Sequence, residues 1–480
     1  MASQSEYQSF NPATGKHLKT FSELTDEEVR SALSVAHDCF TNHWRPTPIA
    51  ERARLINGVA RLLQERSEEF AQLITLEVGK LIAESRYEVK FCIDTLEYFA
   101  TNAERFLQPV KVPSNPGSEI WTEPLGVILA IEPWNFPVLQ LTRVAAPHIM
   151  AGNVLIAKPA PTVPQTSLAF AQLFRDAGVP EGVYTNLFAT VPQLHTLLED
   201  FRIRGVTLTG SERAGAAIAE NAGRHLKKSV LELGGSDPLI VLHDAPIDDA
   251  IKLAVAGRMF NTGQGCAASK RIIVVGKDRE QKVIDGMKTA MAELKPGDPM
   301  DPNTTLGAIF SERGLVGLLA QIETTKAAGA NVILGGKRSQ HSGFYLEPTI
   351  LTNIAPENPL AQQETFGPIA AIYGVDTEEQ AIKLANSTDY GLGASIIAAD
   401  ISHAKKVAAQ IEAGMVFING PAYSSPDLPF GGIKNSGFGK ELSDIGFGEF
   451  TNKKLVRVAN FGVNISLYFV SGLNKIIHDL

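Results

Sequence analysis

The spacing of apolar residues is helical in the N-terminal part of the chain. Leu55, Val59 and Leu62 recur at the spacing of one helix face, and the capping box Thr25-Asp26-Glu27-Glu28 opens an earlier helix. A third apolar stripe falls within residues 84–103. These patterns predict three packing helices ahead of the first long strand.

The pattern then changes to short apolar runs that end in Gly, Pro or a polar residue. Fully buried parallel strands have this character, and the segments between the runs are helical in period. A first series of runs lies at 127–131, 153–157, 183–187 and 205–208, and a second lies near 238–242, 271–276, 330–334 and 368–374. Strand and helix therefore alternate as βαβ units require, which predicts two α/β domains, the first a doubly wound nucleotide-binding sheet.

The segment near the C-terminus differs from both series. Residues 428–439 are too rich in glycine for a regular element, and the polar run 450–458 that follows suits an edge strand. Exposed strand edges favour pairing with another subunit.

Composition narrows the classes of partner. The 480 residues carry a formal net charge of −8 and are 44% hydrophobic, which suits a globular protein and argues against nucleic acid or an anionic membrane as partner. The polar N-terminus lacks a secretory signal and the apolar runs are too short to span a bilayer, so we expect a cytoplasmic protein that acts on a small molecule.

The three cysteines are too few and too scattered for a disulfide framework or a metal site. Cys39 and Cys92 lie on apolar helical stripes, which predicts that both are buried packing residues. Cys266 follows Gly263-Gln-Gly just before a strand, where its thiol and backbone N–H are accessible. By itself a loop cysteine is more often inert than nucleophilic.

Two further residues are candidate partners for Cys266. Glu232 stands in an apolar run beside two glycines, where desolvation raises the pKa of a carboxyl toward that of a usable base; the alternative is a buried Glu held by backbone donors. Asn135, between Pro133 and Pro137, offers a fixed amide donor to an oxyanion, and the alternative is an ordinary turn.

The signals for phosphate binding are unusual. None of the runs is followed by G-x-G-x-x-G, and the P-loop pattern is absent. Thr209-Gly210-Ser211 instead occupies a strand-to-helix junction, where backbone N–H groups and a hydroxyl can hold a pyrophosphate.

Taken together, these residues resemble the aldehyde dehydrogenase superfamily over residues 7 to 459. The resemblance rests on motifs that occur in the same order: Pro133-Trp-Asn-Phe-Pro137, Lys158-Pro159, Thr209-Gly-Ser211, Glu232-Leu-Gly-Gly235, Gly263-Gln-Gly-Cys266, Glu364-Thr-Phe-Gly-Pro368 and Pro429-Phe-Gly-Gly-Ile-Lys-Asn-Ser-Gly437. Within the superfamily, the segments 232–238 and 424–430 are most similar to bacterial succinate-semialdehyde dehydrogenases.

The resemblance implies a three-part fold. It implies a Rossmann-like cofactor-binding domain, an α/β catalytic domain and a small β oligomerisation arm, with a homodimer or homotetramer as the assembly. The expected boundaries are 1–112 and 128–235 for the first, 236–428 for the second, and 113–127 with 429–460 for the arm. Residues 461–480 extend past the usual end of the family and have no assigned role.

The resemblance also implies a mechanism that requires no metal. Cys266 attacks the aldehyde carbon, the Asn135 amide and a backbone N–H hold the oxyanion, hydride leaves for a nicotinamide, and Glu232 activates the water that hydrolyses the thioester. The cofactor would be bound by Trp134, Lys158, Pro161, Gly210, Ser211, Leu233, Glu364 and Phe366.

Two departures leave the cofactor and the substrate open. Pro161 stands where many NAD-preferring relatives carry a Glu, so both NAD and NADP remain admissible. Arg143 suits a substrate carboxylate, with Ser424 or Ser425 assisting, and its alternative is a structural salt bridge. Phe260 replaces the second Arg of better-known succinate-semialdehyde enzymes, which keeps a broad-specificity aldehyde dehydrogenase in view.

Two rival classes carry less support. An acylating dehydrogenase that passes the thioester to coenzyme A generally lacks the Glu at position 232. A catalytically silent structural protein would not need Cys266, Glu232 and Asn135 together, and all three are present.

Overall fold

The computed structural model describes residues 7–458. Its α-helices, in chain order, are α1 (Asp26–Cys39), α2 (Ile49–Glu65), α3 (Ser67–Val78), α4 (Ile82–Leu107), α5 (Pro137–Ala151), α6 (Pro164–Asp176), α7 (Val191–Glu199), α8 (Glu212–Arg224), α9 (Ile247–Met259), α10 (Lys277–Ala292), α11 (Glu312–Ala327), α12 (Glu378–Asn386), α13 (Ile401–Ala408) and α14 (Ser443–Gly448). Short helical turns of other types span Phe40–Trp44, Phe260–Gly263 and Pro359–Gln362.

The strands of this part of the chain form five sheets. In chain order they are β1 (Tyr7–Asn11), β2 (Lys16–Phe21), β3 (Val110–Lys111), β4 (Ser118–Pro124), β5 (Val127–Ile131), β6 (Val154–Lys158), β7 (Tyr184–Asn186), β8 (Ile203–Thr209), β9 (Lys228–Glu232), β10 (Pro238–Val241), β11 (Arg271–Val275), β12 (Asn331–Leu334), β13 (Thr349–Thr352), β14 (Ile369–Val375), β15 (Tyr390–Gly391), β16 (Gly393–Ile397), β17 (Met415–Ile418), β18 (Ile433–Lys434), β19 (Gly437–Phe438) and β20 (Thr451–Arg457).

The first large sheet has the strand order β19-β9-β8-β5-β6-β7. Strands β5 to β9 are parallel, and the two-residue strand β19 joins antiparallel to β9. The chain starts at β5 in the middle, runs outward through β6 and β7, and returns to the other side of β5 with β8. Because the strand order reverses between β5 and β8, a crevice opens beyond their carboxyl ends, where ligands of open α/β sheets bind.

The second large sheet has the order β12-β13-β14-β11-β10-β16-β17 and is parallel except for β12. Helices alternate with its strands, so the prediction of two α/β units is confirmed. The sequence pattern identified β10, β11, β12 and β14 but gave no separate signal for β13, β16 and β17.

A third sheet stands apart from the two large ones in strand pairing. It consists of β20, β4 and β3, and β20 pairs with β4 along its whole length, from Thr451 opposite Pro124 to Arg457 opposite Ser118. The predicted edge strand at 450–458 is therefore present, because β20 pairs on one side alone among the described residues.

The N-terminal helices follow their sequence signals. Thr25 caps α1 in a complete capping box, and the apolar stripe predicted at 84–103 belongs to the longer helix α4. Cys39 and Cys92 lie in the apolar core that surrounds the first large sheet, which confirms them as packing residues.

Two expectations from the sequence remain outside these findings. The boundaries of the domains stay a prediction, and the extension 461–480 lies outside the described residues. Across residues 7–458, no helix combines the length and apolar character that a bilayer crossing requires.

Candidate active site

The candidate site lies at the point where the order of the first large sheet reverses. Trp134 and Asn135 follow β5, and Gly210 and Ser211 follow β8, so all four stand at the carboxyl ends of adjacent parallel strands. Cys266, which precedes β11 of the second large sheet, reaches the same region: the Asn135 amide donates to the carbonyl of Gln264, two residues before the cysteine, at 3.1 Å.

The backbone before Cys266 is held in an unusual conformation. Asn261 and Thr262 adopt left-handed φ angles of 52° and 55°. The Asn261 amide donates to the carbonyls of Asn135 and Gln264, each at 3.1 Å. The Gln264 side chain donates to Ala308 O at 3.1 Å and accepts from Phe310 N at 2.9 Å. These hydrogen bonds fix the loop before Cys266 in one conformation, and a nucleophile requires such a fixed position.

Asn135 is positioned to donate to an oxyanion. Its side chain is buried, and one amide hydrogen is engaged by the Gln264 carbonyl. A primary amide carries two hydrogens, so a second donor remains for a ligand. The turn between Pro133 and Pro137 fixes the residue between β5 and α5.

The electrostatic surroundings of Cys266 favour the thiol over the thiolate. Burial raises the pKa of the Cys266 thiol to about 11, and the positive charges of Lys270 and Arg143 oppose this shift. Its side chain is nevertheless partly exposed, unlike those of the other two cysteines.

Glu232 ends β9 and belongs to a buried charged cluster. Its side chain is buried, and burial together with the nearby Glu441 carboxylate raises its pKa well above the ordinary value, against the effect of Arg143. Both Glu232 oxygens lack a hydrogen-bond partner among the described residues. A desolvated carboxyl with free lone pairs can take a proton from water.

Arg143, on α5, forms an ion pair with Glu441 at 2.5 Å, and the exposed fractions of the two side chains are 3% and 4%. Its guanidinium also lies 4.0 Å from the centre of the Phe430 ring. The structural salt bridge considered as the alternative for Arg143 is thus present. Its role toward a substrate carboxylate stays a prediction.

A cavity of about 300 Å³ leads to the cysteine. Cys266, Arg143 and Ser424 line it, whereas Ser425 is not part of the lining and its hydroxyl donates to Asp427. Most of the remaining lining is apolar and aromatic, from Tyr87, Phe91, Phe136, Leu139, Phe260, Tyr423 and Phe430. Phe260 packs edge to face on Tyr87 and stacks on Phe136, at centroid distances of 6.0 and 5.9 Å.

The other side of the site has the features of a dinucleotide cradle. Ser211 caps α8, and a side chain at Gly215 would lie 2.6 Å from Leu233, so α8 approaches the sheet closely. A helix N-terminus at a strand end attracts phosphate. Near the ends of β6 and β7, Thr162 Oγ1 and Asn186 Oδ1 are buried without a partner among the described residues. Such orphaned polar atoms fit a hydroxyl-rich ligand such as a ribose.

Lys158 and Pro161 lie beside these atoms. Burial lowers the pKa of Lys158 to about 8, and the Lys158 ammonium lies 5.6 Å from the Tyr7 ring centre. The carbonyl of Pro161 accepts a hydrogen bond from Gln8 N at 2.9 Å. The residues present therefore fit a nicotinamide dinucleotide.

The loop with Glu364 and Phe366 contacts the segments that follow β9 and β5. Glu364 accepts from the Gly235 N–H at 3.1 Å and pairs with the Lys270 ammonium at 3.1 Å. Phe366 lies edge to face with Trp134 at 5.7 Å, and Trp134 stacks on Phe310. All of the predicted cofactor residues thus lie on the elements that surround the crevice.

Sequence reasoning missed several buried charged residues around the site, among them Glu132, Lys270, Arg258 and Glu441. Charged residues inside otherwise apolar strands or helix ends are the signal that would have found Glu132 and Arg258, since such residues are seldom buried without a role. Glu441 gave no such signal, because it follows a polar, glycine-rich segment.

Comparison with known proteins agrees with this geometry. The sequence profile described as the aldehyde dehydrogenase family matches residues 1–456. The chain belongs to the aldehyde dehydrogenase family. It is accordingly an oxidoreductase, and the fold and the family expected from the sequence are confirmed.

Several named members of the family are similar to this chain over nearly its whole length. The succinate-semialdehyde dehydrogenase [NADP(+)] of Deinococcus radiodurans is 45% identical over 93% of this chain and 94% of that protein. A probable enzyme of the same name from Synechocystis is 44% identical over 94% and 99%. The chain is also similar to the crystal structure of succinic semialdehyde dehydrogenase from Streptococcus pyogenes in complex with NADP⁺. The two sequences are 41% identical, the TM-score is 0.92, and the alignment covers 95% of this chain and 100% of the other.

Proposed function

We propose that this aldehyde dehydrogenase oxidises succinate semialdehyde to succinate with NADP⁺, through a thioester on Cys266. The observation that carries the proposal is the cavity of about 300 Å³ in which Cys266 shares the lining with Arg143 and Ser424. Two relatives above 40% identity bear the name of a succinate-semialdehyde dehydrogenase that uses NADP⁺.

In the first half of the reaction, the Cys266 thiolate attacks the aldehyde carbon and forms a C–S bond. The carbonyl oxygen becomes an oxyanion, which the Asn135 amide and the backbone N–H of Cys266 stabilise. A nicotinamide cofactor, which Trp134, Ser211 and Glu364 would help to hold, would supply the acceptor for the hydride of the former aldehyde carbon. Stacked Trp134 and Phe310, with Phe366 at their edge, form an apolar wall on the side of the cofactor crevice.

In the second half, Glu232 removes a proton from water, and the hydroxide attacks the thioester carbon. The C–S bond breaks, the Cys266 thiolate leaves, and the carboxylic acid that forms loses its proton to solvent and becomes the carboxylate. Glu232 is suited to this step because burial raises its pKa well above that of an ordinary carboxyl, which makes its anion a stronger base. Its unpartnered oxygens are available to a water molecule.

The assignment of NADP⁺ rests on the loop after β6 and on the names of the relatives. Pro161 supplies no carboxylate that would repel a 2′-phosphate, and the partly buried Lys158 lies three residues before it with its ammonium. The Thr162 hydroxyl, buried and unpartnered among the described residues, adds a donor at the same place.

The carboxylate end of the substrate is assigned to Arg143 and Ser424. Arg143 already shares its charge with Glu441, so it offers a substrate less than a free guanidinium would. Phe260, in the lining of the cavity, supplies no second cation. We therefore expect a moderate preference for a charged aldehyde.

The test is a panel of aldehydes assayed with NAD⁺ and NADP⁺ by the appearance of reduced nicotinamide. Succinate semialdehyde should have a higher kcat/KM than butanal, an uncharged aldehyde of similar length. Arg143→Leu should remove about ten- to hundredfold of kcat/KM for the charged substrate, mainly through KM, because the carboxylate is remote from the reacting carbon.

Butanal is the internal control: its kcat/KM reports how far the loss of Arg143 disturbs Cys266 and Glu232 through their shared charges, and the ratio of the two kcat/KM values isolates the contact with the substrate carboxylate. Arg143→Lys is the matched variant that keeps a positive charge, and it should retain part of the preference. Equal kcat/KM for the charged and neutral aldehydes in the parent enzyme would contradict the proposed substrate, and a higher kcat/KM with NAD⁺ would contradict the proposed cofactor.

A second candidate is a broad-specificity aldehyde dehydrogenase. The aromatic character of the cavity favours it, since Tyr87, Phe136 and Phe260 pack on one another in the lining and suit neutral aliphatic or aromatic aldehydes. The same panel separates the two candidates, because a broad-specificity enzyme would prefer longer apolar aldehydes to succinate semialdehyde.

We also propose a cytoplasmic enzyme that assembles as a homodimer or homotetramer. The small sheet of β3, β4 and β20 supports the assembly, because its outer strand β20 presents an edge that pairs with no other described strand.

A further inference from the structure

Lys270 is a buried cation in direct contact with the loop that carries Cys266. The residue immediately precedes β11, and its side chain is 2% exposed. The ammonium donates to the carbonyl of Gly265 at 2.8 Å and to the carbonyl of Cys266, and it pairs with Glu364 at 3.1 Å. The mechanism above assigns no task to this residue.

The contact with Gly265 has a direct chemical consequence. The Gly265 carbonyl and the Cys266 N–H belong to the same peptide group, and that N–H is one of the two proposed donors to the oxyanion. A cation that binds the oxygen of a peptide draws electron density away from its nitrogen, which makes the N–H a stronger donor. The same bond fixes the plane of the peptide and hence the direction of the N–H.

We propose that Lys270 is a positioning residue for catalysis: its ammonium orients and polarises the Gly265–Cys266 peptide toward the oxyanion and favours the thiolate of Cys266. The proposal rests on the proposed role of Cys266 as nucleophile. It concerns a residue that touches neither the substrate nor the reacting atoms and acts through the backbone.

The charges that face Cys266 are consistent with this role. Burial raises the pKa of the thiol, Lys270 lowers it more than Arg143 does, and Glu364 and Asp237 raise it. Asp237 and Glu364 also flank the Lys270 ammonium, and burial raises the pKa of Asp237 to about 7. Lys270 is thus the main positive counterweight to a desolvated thiol among the groups of the described chain.

The neighbouring residue provides a matched control. Arg271 is also buried and cationic, but it donates to Ser236 O, Leu384 O and Ala385 O, away from the cysteine. A residue that only stabilises the fold would resemble Arg271 in every assay of the thiol. The comparison of Lys270→Gln with Arg271→Gln therefore separates positioning from packing.

The first measurement is the rate of Cys266 alkylation by iodoacetamide as a function of pH, followed by peptide mass spectrometry on the full chain without aldehyde or cofactor. In Lys270→Gln the rise of the rate should move to higher pH, and the rate at pH 8 should fall roughly tenfold, the factor that one pKa unit represents. Lys270→Arg, which keeps the charge, should recover much of the rate. Arg271→Gln should follow the parent.

The second measurement is the first turnover at saturating cofactor. Formation of reduced nicotinamide should be about tenfold slower in Lys270→Gln, while KM for the aldehyde changes little, since the contact stabilises the oxyanion more than the bound aldehyde. Lys270→Met is a second neutral variant for use if Lys270→Gln is not folded, as judged by thermal melting.

An unchanged alkylation profile together with an unchanged first turnover in a folded neutral variant would overturn the proposal. So would an equal shift in Arg271→Gln. Alkylation requires no aldehyde, so a wrong substrate assignment leaves this test intact, and an active Cys266→Ala would refute the proposed nucleophile without deciding the effect of Lys270 on the thiol.

Discussion

At the scale of single residues, Cys266 differs from the other two cysteines in its surroundings. Cys39 and Cys92 are buried among apolar side chains, whereas Cys266 is partly exposed at the end of a cavity. We expect Cys266→Ala to abolish aldehyde oxidation and to leave cofactor binding intact, because only the covalent step uses the sulfur. Turnover and cofactor titration by fluorescence measure the two effects.

The controls for this prediction are Cys39→Ala and Cys92→Ala. Both should retain turnover, since neither lines the cavity, although each removes buried volume and lowers stability. Full activity in Cys266→Ala would refute the thioester mechanism.

Glu232 should act after the hydride has left. In Glu232→Gln we expect one equivalent of reduced cofactor to form and turnover then to stall, because acylation does not need the base and hydrolysis does. The intact protein should carry the acyl group in a mass spectrum. Loss of the first equivalent, with no acyl adduct, would assign Glu232 to an earlier step.

The pH dependence of this step has a definite sign. Glu232 must be deprotonated to activate water, and burial and the Glu441 carboxylate raise its pKa, so the acidic limb of kcat should lie above the range of an ordinary carboxyl. Glu441→Gln removes a negative charge and frees Arg143, both of which lower the pKa of Glu232. The limb should therefore move to lower pH; a shift to higher pH would contradict this electrostatic account.

The sequence predicted those site residues that lie in local motifs. Glycines or prolines stand close to Cys266, Glu232 and Asn135, and these residue types indicate a turn or a close approach of the backbone. These neighbours and the order of the motifs along the chain allowed the three residues to be predicted. Glu441 and Lys270 were not predicted, because their roles arise from contacts across the fold: Glu441 meets Arg143 from a segment far along the chain, and Lys270 acts through a carbonyl.

At the scale of elements, Glu88 joins the helices α4 and α5. Its carboxylate accepts from Val138 N at 2.9 Å and Leu139 N at 3.1 Å, in the first turn of α5, and pairs with the Lys80 ammonium at 2.8 Å. Both Lys80 and Glu88 are fully buried. Since Asn135 precedes α5 and Arg143 lies on it, this clamp sets the position of two site residues.

We expect Glu88→Leu to destabilise the protein by about 3 to 5 kcal/mol, because it leaves a buried ammonium and two helix N–H groups without a partner. Glu88→Gln keeps an acceptor for the helix and should cost less. Urea unfolding measures the free energies, and kcat of the folded fraction should fall in both variants. Equal stability of Glu88→Leu and the parent would contradict the role of the clamp.

The exposed pair of Arg54 and Glu51 is the control for this prediction. It joins two side chains of α2 at 2.6 Å on the surface, where solvent screens the interaction. Glu51→Gln should therefore leave the free energy of unfolding nearly unchanged.

The elements themselves were predicted in proportion to the strength of their local pattern. Long amphipathic helices and buried strands such as β5 and β6 followed their apolar runs. The strands β18 and β19 are two residues each, and the pairing of β19 with β9 depends on a distant strand edge. No periodicity exists in so short a segment, so the sequence could not predict these strands.

At the scale of the whole molecule, the sheet of β3, β4 and β20 leaves apolar side chains in solvent. Trp121 is 41% exposed, Val110 60% and Leu455 65%. These residues stand on a sheet whose outer strand β20 has a free edge in the described chain. Apolar side chains next to a free strand edge are typical of a surface that another subunit covers.

We therefore expect Leu455→Glu to weaken the assembly of this enzyme. Burying a leucine contributes about 1.5 to 3 kcal/mol, which corresponds to roughly ten- to hundredfold in a dissociation constant, and a symmetric interface counts the residue twice. Light scattering coupled to size-exclusion chromatography should show the parent as a dimer or tetramer and the variant as a smaller species on dilution. Val316→Glu, at a 53% exposed position on α11, is the matched control and should keep the parent mass. A parent that elutes as a monomer at high concentration, or a variant that dissociates no more readily than Val316→Glu, would exclude this sheet as the subunit contact.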